Sequence, residues 1–315
     1  MENKLSVHSL TSNNRKEPLF GVAGYPPNFA LSSYGKKREK IFQWLQEINL
    51  DWVELQNTYG VKMPDEQASL YYRLAEDHHI GVSIHGPYYI TLASGDKDVV
   101  KRSIHRIEQC FHLAEMLHAN RIVFHPGFYP GKTNEDRRAG INQIIKVLNS
   151  MRNDVPKGVF LYPETAGKRS QIGSLEEVIE LCESVEFARP CLDLAHIHGF
   201  TGGALIGVES IKAVFSLMGS RLGTDRLDSM HIHMYPIEYD HNGEKRHKAF
   251  GDKLDPTLPP DRKNSFYPRA DDFINALRDM NLAPVVVCEA KDTQDVGARL
   301  MKSLYHGDLS DEVSL

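Results

Sequence analysis

The sequence predicts a single (β/α)8 barrel, an α/β fold, and three observations point to it. Apolar runs of strand length recur along the chain, and helical apolar spacing fills the intervals between them. Eight such units at roughly 30–40 residue intervals suit a closed barrel better than an open sheet. The 315 residues also match one barrel domain of roughly 250 residues with extensions.

The expected strands are Leu19–Ala23, Trp52–Leu55, Val82–His85, Ile122–His125, Val159–Pro163, Cys191–Leu194, Met230–His233 and Val285–Glu289. Between them, Lys36–Ile48, Ser69–His79, Val99–Leu117 and Leu175–Val185 repeat apolar residues at the spacing of one helix face. Strand alternating with helix implies parallel pairing through right-handed crossovers. No G-x-G-x-x-G or Walker A loop follows the first strand, so no nucleotide cofactor is expected. The longest interval runs from His233 to Val285 and holds Tyr239, His241, Gly243, Pro256, Pro259, Pro260 and Pro268. It reads as an extended loop region on the active-site rim, between strands seven and eight. One barrel domain over 19–305 is expected, with polar tails at 1–18 and 306–315.

Hydrophobic residues make up 41% and charged residues 25%, an ordinary globular balance. A net charge of -5 gives no overall basic field and argues against a simple electrostatic DNA binder. An enzyme whose bound cations supply local positive charge stays open, because a formal charge count omits the ions. Cys110, Cys182, Cys191 and Cys288 lie far apart with no CxxC pair, which disfavours a disulfide framework or a structural zinc site. Met1 to Pro18 has no apolar run, and no stretch is long enough to span a membrane. A cytoplasmic protein without a membrane partner is expected.

The strand ends carry the chemistry. His85 ends strand three, His125 strand four and Glu164 strand five. Asp193 and then His196 follow on strand six, His231 and His233 lie on strand seven, and Glu289 ends strand eight. A lone His or Glu at a strand end is more often a hydrogen-bonded rim residue, but six successive strands each delivering one is not explained that way. Barrel enzymes place their reactive groups at this C-terminal face. Imidazole and carboxylate together suit Zn2+, Mn2+ or Fe2+, and so many ligands in one mouth imply two or three ions. Carboxylates within apolar runs also need a cation nearby, because a buried unpaired charge is costly. His231 and His233, two apart on a strand, share the inward face, while Met230 and Ile232 face the helices. His233 then reaches the mouth as a ligand, as a group that hydrogen-bonds a ligand, or as a substrate contact. His198 and His241 read as solvated loop histidines, and Met116 and Met218 as core.

Five segments together resemble the endonuclease IV family of abasic-site endonucleases. They are His85-Gly-Pro-Tyr88-Tyr89-Ile-Thr-Leu-Ala-Ser94, Phe124-His125-Pro-Gly127, Pro163-Glu164-Thr-Ala-Gly167, Leu192-Asp193-Leu-Ala-His196 and Met230-His231-Ile-His233. The likeness runs from about Phe20 to about Leu304. The stretch from Ile237 through His247 is most similar to the archaeal-type branch.

The resemblance implies a zinc enzyme with three ions that cuts double-stranded DNA on the 5′ side of an abasic site. One ion would take His85, His125 and Glu164; a second would share Glu164 and take Asp193, His231 and Glu289; a third would take His196 and His247. Glu164 and Glu289 would serve the chemistry directly, by holding ions that activate a water and neutralise the phosphate. Tyr88 and Tyr89 match the pair that wedges into the base stack. One departure stands out. The family places an Asp two residues before the last His, where this chain has Lys245-Arg246-His247. A protonated lysine cannot ligate, so either Glu244 or His233 replaces it or the third ion is weakly held or absent; replacement is the expectation.

The main rival is a sugar isomerase or epimerase, whose Glu, Asp, His, Glu tetrad Glu164, Asp193, His231 and Glu289 also satisfy. The surplus of His85, His125, His196 and His247 has no evident task in a single-metal isomerase. A metal-stabilised binding module fits less well, because structural sites are closed rather than open at a mouth.

Overall fold

The structure, a computed structural model, describes residues 16–252 and 266–308. Eight parallel strands form the barrel: β1 (Leu19–Ala23), β2 (Trp52–Gln56), β3 (Gly81–His85), β4 (Arg121–Phe124), β5 (Phe160–Pro163), β6 (Cys191–Asp193), β7 (His231–His233) and β10 (Val285–Cys288). Each matches an expected strand to within a residue or two. They pair in the order β5-β4-β3-β2-β1-β10-β7-β6, and the ring closes through Glu164 opposite Cys191. Thr165 clips that seam: its hydroxyl accepts from Asp193 N at 2.8 Å and donates to Asp193 O at 3.1 Å. Among the described residues no helix is long and apolar enough to cross a membrane.

Pleating decides what faces inward. Val285 and Val287 pack with Ala23 and Trp52 inside the barrel, whereas Met230, Ile232 and Val286 join the large cluster beneath the helices. The ladder sets Cys191, His231 and Val285 on one rung, and Asp193, His233 and Val287 on the rung above. Below them Arg121 is fully buried, with its guanidinium 5.8 Å from the Trp52 ring and 5.0 Å from the Tyr162 ring. Arg121 also donates to Ser229 O at 2.8 Å.

The helices start where cap chemistry allows. Ser174 and Glu177 form a capping box for Leu175–Ser184. Asp193 caps Leu194–Phe200 by accepting from His196 N at 2.7 Å. That cap seats His196 on the first turn of a helix at the barrel mouth.

The region after strand seven is not simply loop. It contains an antiparallel hairpin, β8 (Ile237–Asp240) with β9 (Gly243–His247), and later the helix Ala270–Asp279. The hairpin escaped the apolar-pattern criterion because it carries Glu238, Tyr239, Glu244, Lys245 and Arg246 in place of apolar alternation. Pro256, Pro259 and Pro260, and the tail segments 1–15 and 309–315, lie outside the described residues. A second correction concerns His198, which is buried rather than solvated. Its Nδ1 accepts from Leu205 N at 3.2 Å, and its ring stacks 5.9 Å from Tyr267. His241 is 86% exposed. All four cysteines are buried and free.

Candidate metal centre

Glu164 leaves β5 as a nearly fully buried carboxylate and gathers four histidines. Its Oε2 lies 3.1 Å from His85 Nε2 and 3.4 Å from His125 Nε2; its Oε1 lies 3.2 Å from His196 Nδ1 and 3.3 Å from His233 Nδ1. Burial opposes ionisation, yet His125 and His233 hold the carboxyl well below its ordinary range. Burial lowers His85, but the hydrogen bond and charge of Glu164 outweigh it and raise the imidazole to about 9. His125, with burial dominant, falls to about 4.

On the neighbouring strands, His233 Nδ1 is 3.8 Å from both Asp193 Oδ2 and Glu289 Oε1. The resemblance put His231 in that position. The structure seats His231 one rung lower, 2.9 Å from Glu54 Oε2 and away from the mouth. Two residues on one strand face share a direction but differ in height, and sequence alone does not give height. Burial pushes the Asp193 carboxyl up to about 7, and Tyr235 Oη donates to its Oδ2 at 2.9 Å. Gln56 Nε2 donates to Glu289 Oε1 at 3.3 Å.

The hairpin answers the Lys245 question. Tyr239 pairs with Glu244 and Glu238 with Arg246, so Lys245 is the extra residue of a bulge. A bulge shifts the two-residue alternation by one, which puts Glu244 and His247 on the same face although they are three apart. Glu244 Oε2 then lies 3.1 Å from His196 Nε2, and Oε1 lies 3.1 Å from His247 Nε2. Lys245 turns outward to Glu238 Oε1 at 2.6 Å. Of the two candidate replacements, Glu244 stands between His196 and His247, and His233 stands at Glu164. The hairpin docks through Glu244 N to Gly167 O at 2.8 Å. Any side chain at Gly167 would meet Glu244 Oε2 and His196 Cδ2 at 2.6 Å, so the close approach requires glycine.

Three histidines share one device. Nδ1 of His85 faces Gly86 O at 3.0 Å, that of His196 faces Thr165 O at 2.8 Å, and that of His247 faces Glu289 O at 2.9 Å. A carbonyl oxygen only accepts, so each Nδ1 carries a proton and each ring, once its Nε2 is deprotonated, would offer that lone pair to the mouth. His85, His125 and Glu164 form one ligand triplet with donor atoms within 4.8 Å of one another; His196, Glu244 and His247 form another. Imidazole nitrogens and carboxylate oxygens in these numbers suit Zn2+ or Mn2+.

His85, His125, His196, Glu244, His247 and Glu289 line a cavity of about 360 Å3 that also includes Thr58, Tyr88, Lys168 and Gln171, while Glu164, Asp193 and His233 are buried. Tyr88 is 44% and Tyr89 53% exposed, with their rings edge to face at 5.9 Å. Tyr59, 75% exposed, stands on the adjoining loop, where Thr58 O accepts from Tyr88 N at 3.2 Å. Two residues escaped sequence reasoning: Tyr59, and Glu54 on β2. Glu54 alternates with the interior residue Trp52, and a carboxylate on that face of an apolar run was the available signal.

The sequence pattern described as xylose isomerase-like TIM barrel matches residues 42–305. An uncharacterized protein of Methanocaldococcus jannaschii is 30% identical over 90% of this chain and 96% of its own length. The chain is 27% identical to a probable endonuclease 4 of Mycoplasma genitalium over 56% of this chain and spans 60% of that relative. Among solved structures, endonuclease IV from Thermus thermophilus aligns with a TM-score of 0.62 at 15% identity, over 92% of this chain and 100% of that one. D-psicose 3-epimerase from Clostridium cellulolyticum aligns equally well, with a TM-score of 0.61 at 14% identity over 93% and 99%. At such identities these two structures speak to fold alone.

Proposed function

Because the chain belongs to the xylose isomerase-like TIM barrel family, we propose that it is a metal-dependent phosphodiesterase, cutting double-stranded DNA on the 5′ side of abasic sites. The observation that carries this is the ligand surplus. Beyond Glu164, Asp193 and Glu289, the mouth presents His85, His125 and the His196–Glu244–His247 triplet, with three rings held so that Nε2 faces inward. A ketose epimerase around a single ion has no use for the rim triplet.

The residues fit divalent cations, with Zn2+ first and Mn2+ second. His85, His125 and Glu164 would hold one ion, Glu164, Asp193 and Glu289 a second, and His196, Glu244 and His247 a third. When bound, such ions would acidify a water and neutralise phosphate charge. The protein's own part is placement. Glu164, buried, and Glu289, in the cavity wall, would hold the ions that face the phosphate, and Gln56 orients Glu289 through its 3.3 Å hydrogen bond. Lys168 in the cavity wall adds positive charge for a phosphate oxygen. Tyr88 and Tyr89, exposed at the rim, would fill the gap in the base stack. An abasic nucleotide has little stacking to lose and leaves the helix cheaply.

A duplex with one abasic site tests this: nicking on its 5′ side, abolished by chelator, is expected. No cut on that duplex together with turnover of a ketose panel would replace the nuclease with the epimerase. His247→Ala should lower the bound-metal count by one ion, and an unchanged count removes the third ion from the proposal. Tyr88→Ala with Tyr89→Ala should weaken binding to abasic duplex by about 1–3 kcal/mol per stacked ring without changing the metal count.

A further inference from the structure

Beneath the mouth lies a second group of two histidines and a glutamate, which the proposed nuclease does not use. Glu54 on β2 and His231 and His233 on β7 are all fully buried, and their donor atoms lie within 4.8 Å of one another. Glu54 Oε2 is 2.9 Å from His231 Nε2, and Glu54 Oε1 is 3.1 Å from His233 Nε2.

Close as they are, these are not hydrogen bonds. Neither Nε2 has a partner in hydrogen-bond geometry, and His231 Nδ1 has none either. A buried imidazole with both nitrogens unbonded is rare enough to need a cause. An imidazolium paired with a carboxylate would line its N–H up with the oxygen. Ligands of one ion do otherwise: their lone pairs converge on the ion, so the donor atoms are close while pointing past each other. Two bonds of about 2.1 Å opened by about 90–110° span roughly 3.0–3.4 Å, beside the 2.9 and 3.1 Å found here.

The surroundings hold two of the three side chains, Glu54 and His233, in that pose. Trp52 Nε1 donates to Ser83 Oγ at 2.9 Å, Ser83 Oγ donates to Glu54 Oε2 at 2.9 Å, and Gln56 Nε2 donates to Glu54 Oε1 at 3.2 Å. His233 Nδ1 faces Glu164 Oε1 at 3.3 Å. With its proton on Nδ1, the ring donates to that carboxylate and offers the Nε2 lone pair downward, the arrangement carboxylates commonly impose on metal-bound histidines.

We propose that Glu54, His231 and His233 hold a divalent cation of the zinc class of their own, enclosed beneath the mouth. It is a closed site, unlike the open cluster above it, and its ion exchanges slowly.

The test counts zinc by plasma mass spectrometry on the full chain, in the wild type and in Glu54→Gln, His231→Gln and His247→Ala. Under prolonged chelator the wild type is expected to lose its mouth ions quickly and keep one equivalent. His247→Ala keeps that equivalent, whereas Glu54→Gln and His231→Gln lack it. Loss of every ion from the wild type in one fast phase overturns the site, as does a protected equivalent surviving in Glu54→Gln and His231→Gln. Should those two variants not fold, the wild-type release curve decides alone. Failure to nick abasic duplex with the protected equivalent present would sink the nuclease and leave this site standing.

Discussion

The molecule builds the same trio of side chains twice, and the two copies behave as opposites. At the rim, His196, Glu244 and His247 meet where a hairpin docks on the barrel, and the His247 side chain is 34% exposed. In the interior, Glu54, His231 and His233 stand on barrel strands and are fully buried. Burial lowers His247, but Glu244 and Glu289 outweigh it and raise the ring to about 9. For His231 burial prevails, and the ring falls to about 4 although Glu54 is close by. A trio that water can reach is adjustable in chemistry and cheap to alter. A trio inside the barrel is part of the fold.

The largest expected effect breaks the interior copy. Glu54→Ala removes the one carboxylate facing both buried imidazoles and should cost about 3–5 kcal/mol, read by urea denaturation of protein refolded in chelator. Glu244→Ala, under the same conditions, should cost about 1 kcal/mol or less, because its partners regain water. Equal losses would erase the contrast.

Gly167→Ala comes next. The added Cβ would stand 2.6 Å from Glu244 Oε2 and 2.6 Å from His196 Cδ2, so the hairpin must move. A loss of about 1–3 kcal/mol is expected, with one ion missing from the metal count. A full count would mean the hairpin yields without opening the rim trio.

How far the sequence foretold these two trios follows from what each one depends on. The strand ends were legible because His, Asp and Glu directly after apolar runs stand out in a sequence, and the structure gathers His85, His125, Glu164, Asp193 and Glu289 together. The rim trio was half legible. His196 and His247 could be named from the resemblance, but choosing Glu244 over His233 needed the bulge at Lys245, and a bulge leaves no mark in residue types. The interior trio was nearly invisible: His231 and His233 share a face in any strand, while their heights, and the approach of Glu54 from β2, are set by register between distant segments. The barrel itself was readable from apolar periodicity, which is why its strand limits came out close and the polar hairpin did not.

The bulge can be tested directly. Deleting Lys245 leaves Glu244 and His247 two apart on a plain strand, which restores the same face by ordinary alternation. The metal count should match wild type, and stability should change by less than about 0.5 kcal/mol, as for exposed positions. Lys245→Asp should add no ligand, since that side chain points to Glu238 rather than into the mouth. A higher count in Lys245→Asp would show that the bulge relaxes when offered a carboxylate.

The smallest effect is a pH profile of the metal-free protein, and here the two copies should separate by sign. His247 and His85, both raised to about 9 against an unfolded value of about 6.5, bind more protons folded than unfolded. Their contribution is complete below about pH 6.5 and is lost as pH rises toward 9. His231, lowered to about 4, works the other way: the unfolded chain takes up its proton first, so stability falls as pH drops from about 6.5 toward 4. The metal-free protein should therefore be most stable near neutrality. His247→Gln should make the alkaline limb shallower, leaving the part due to His85, His196 and His233, which are raised as well, while the acid limb keeps its slope. If the acid limb flattened instead, the rim and interior trios would be exchanging protons, and the division between an adjustable site and a fixed one would fail.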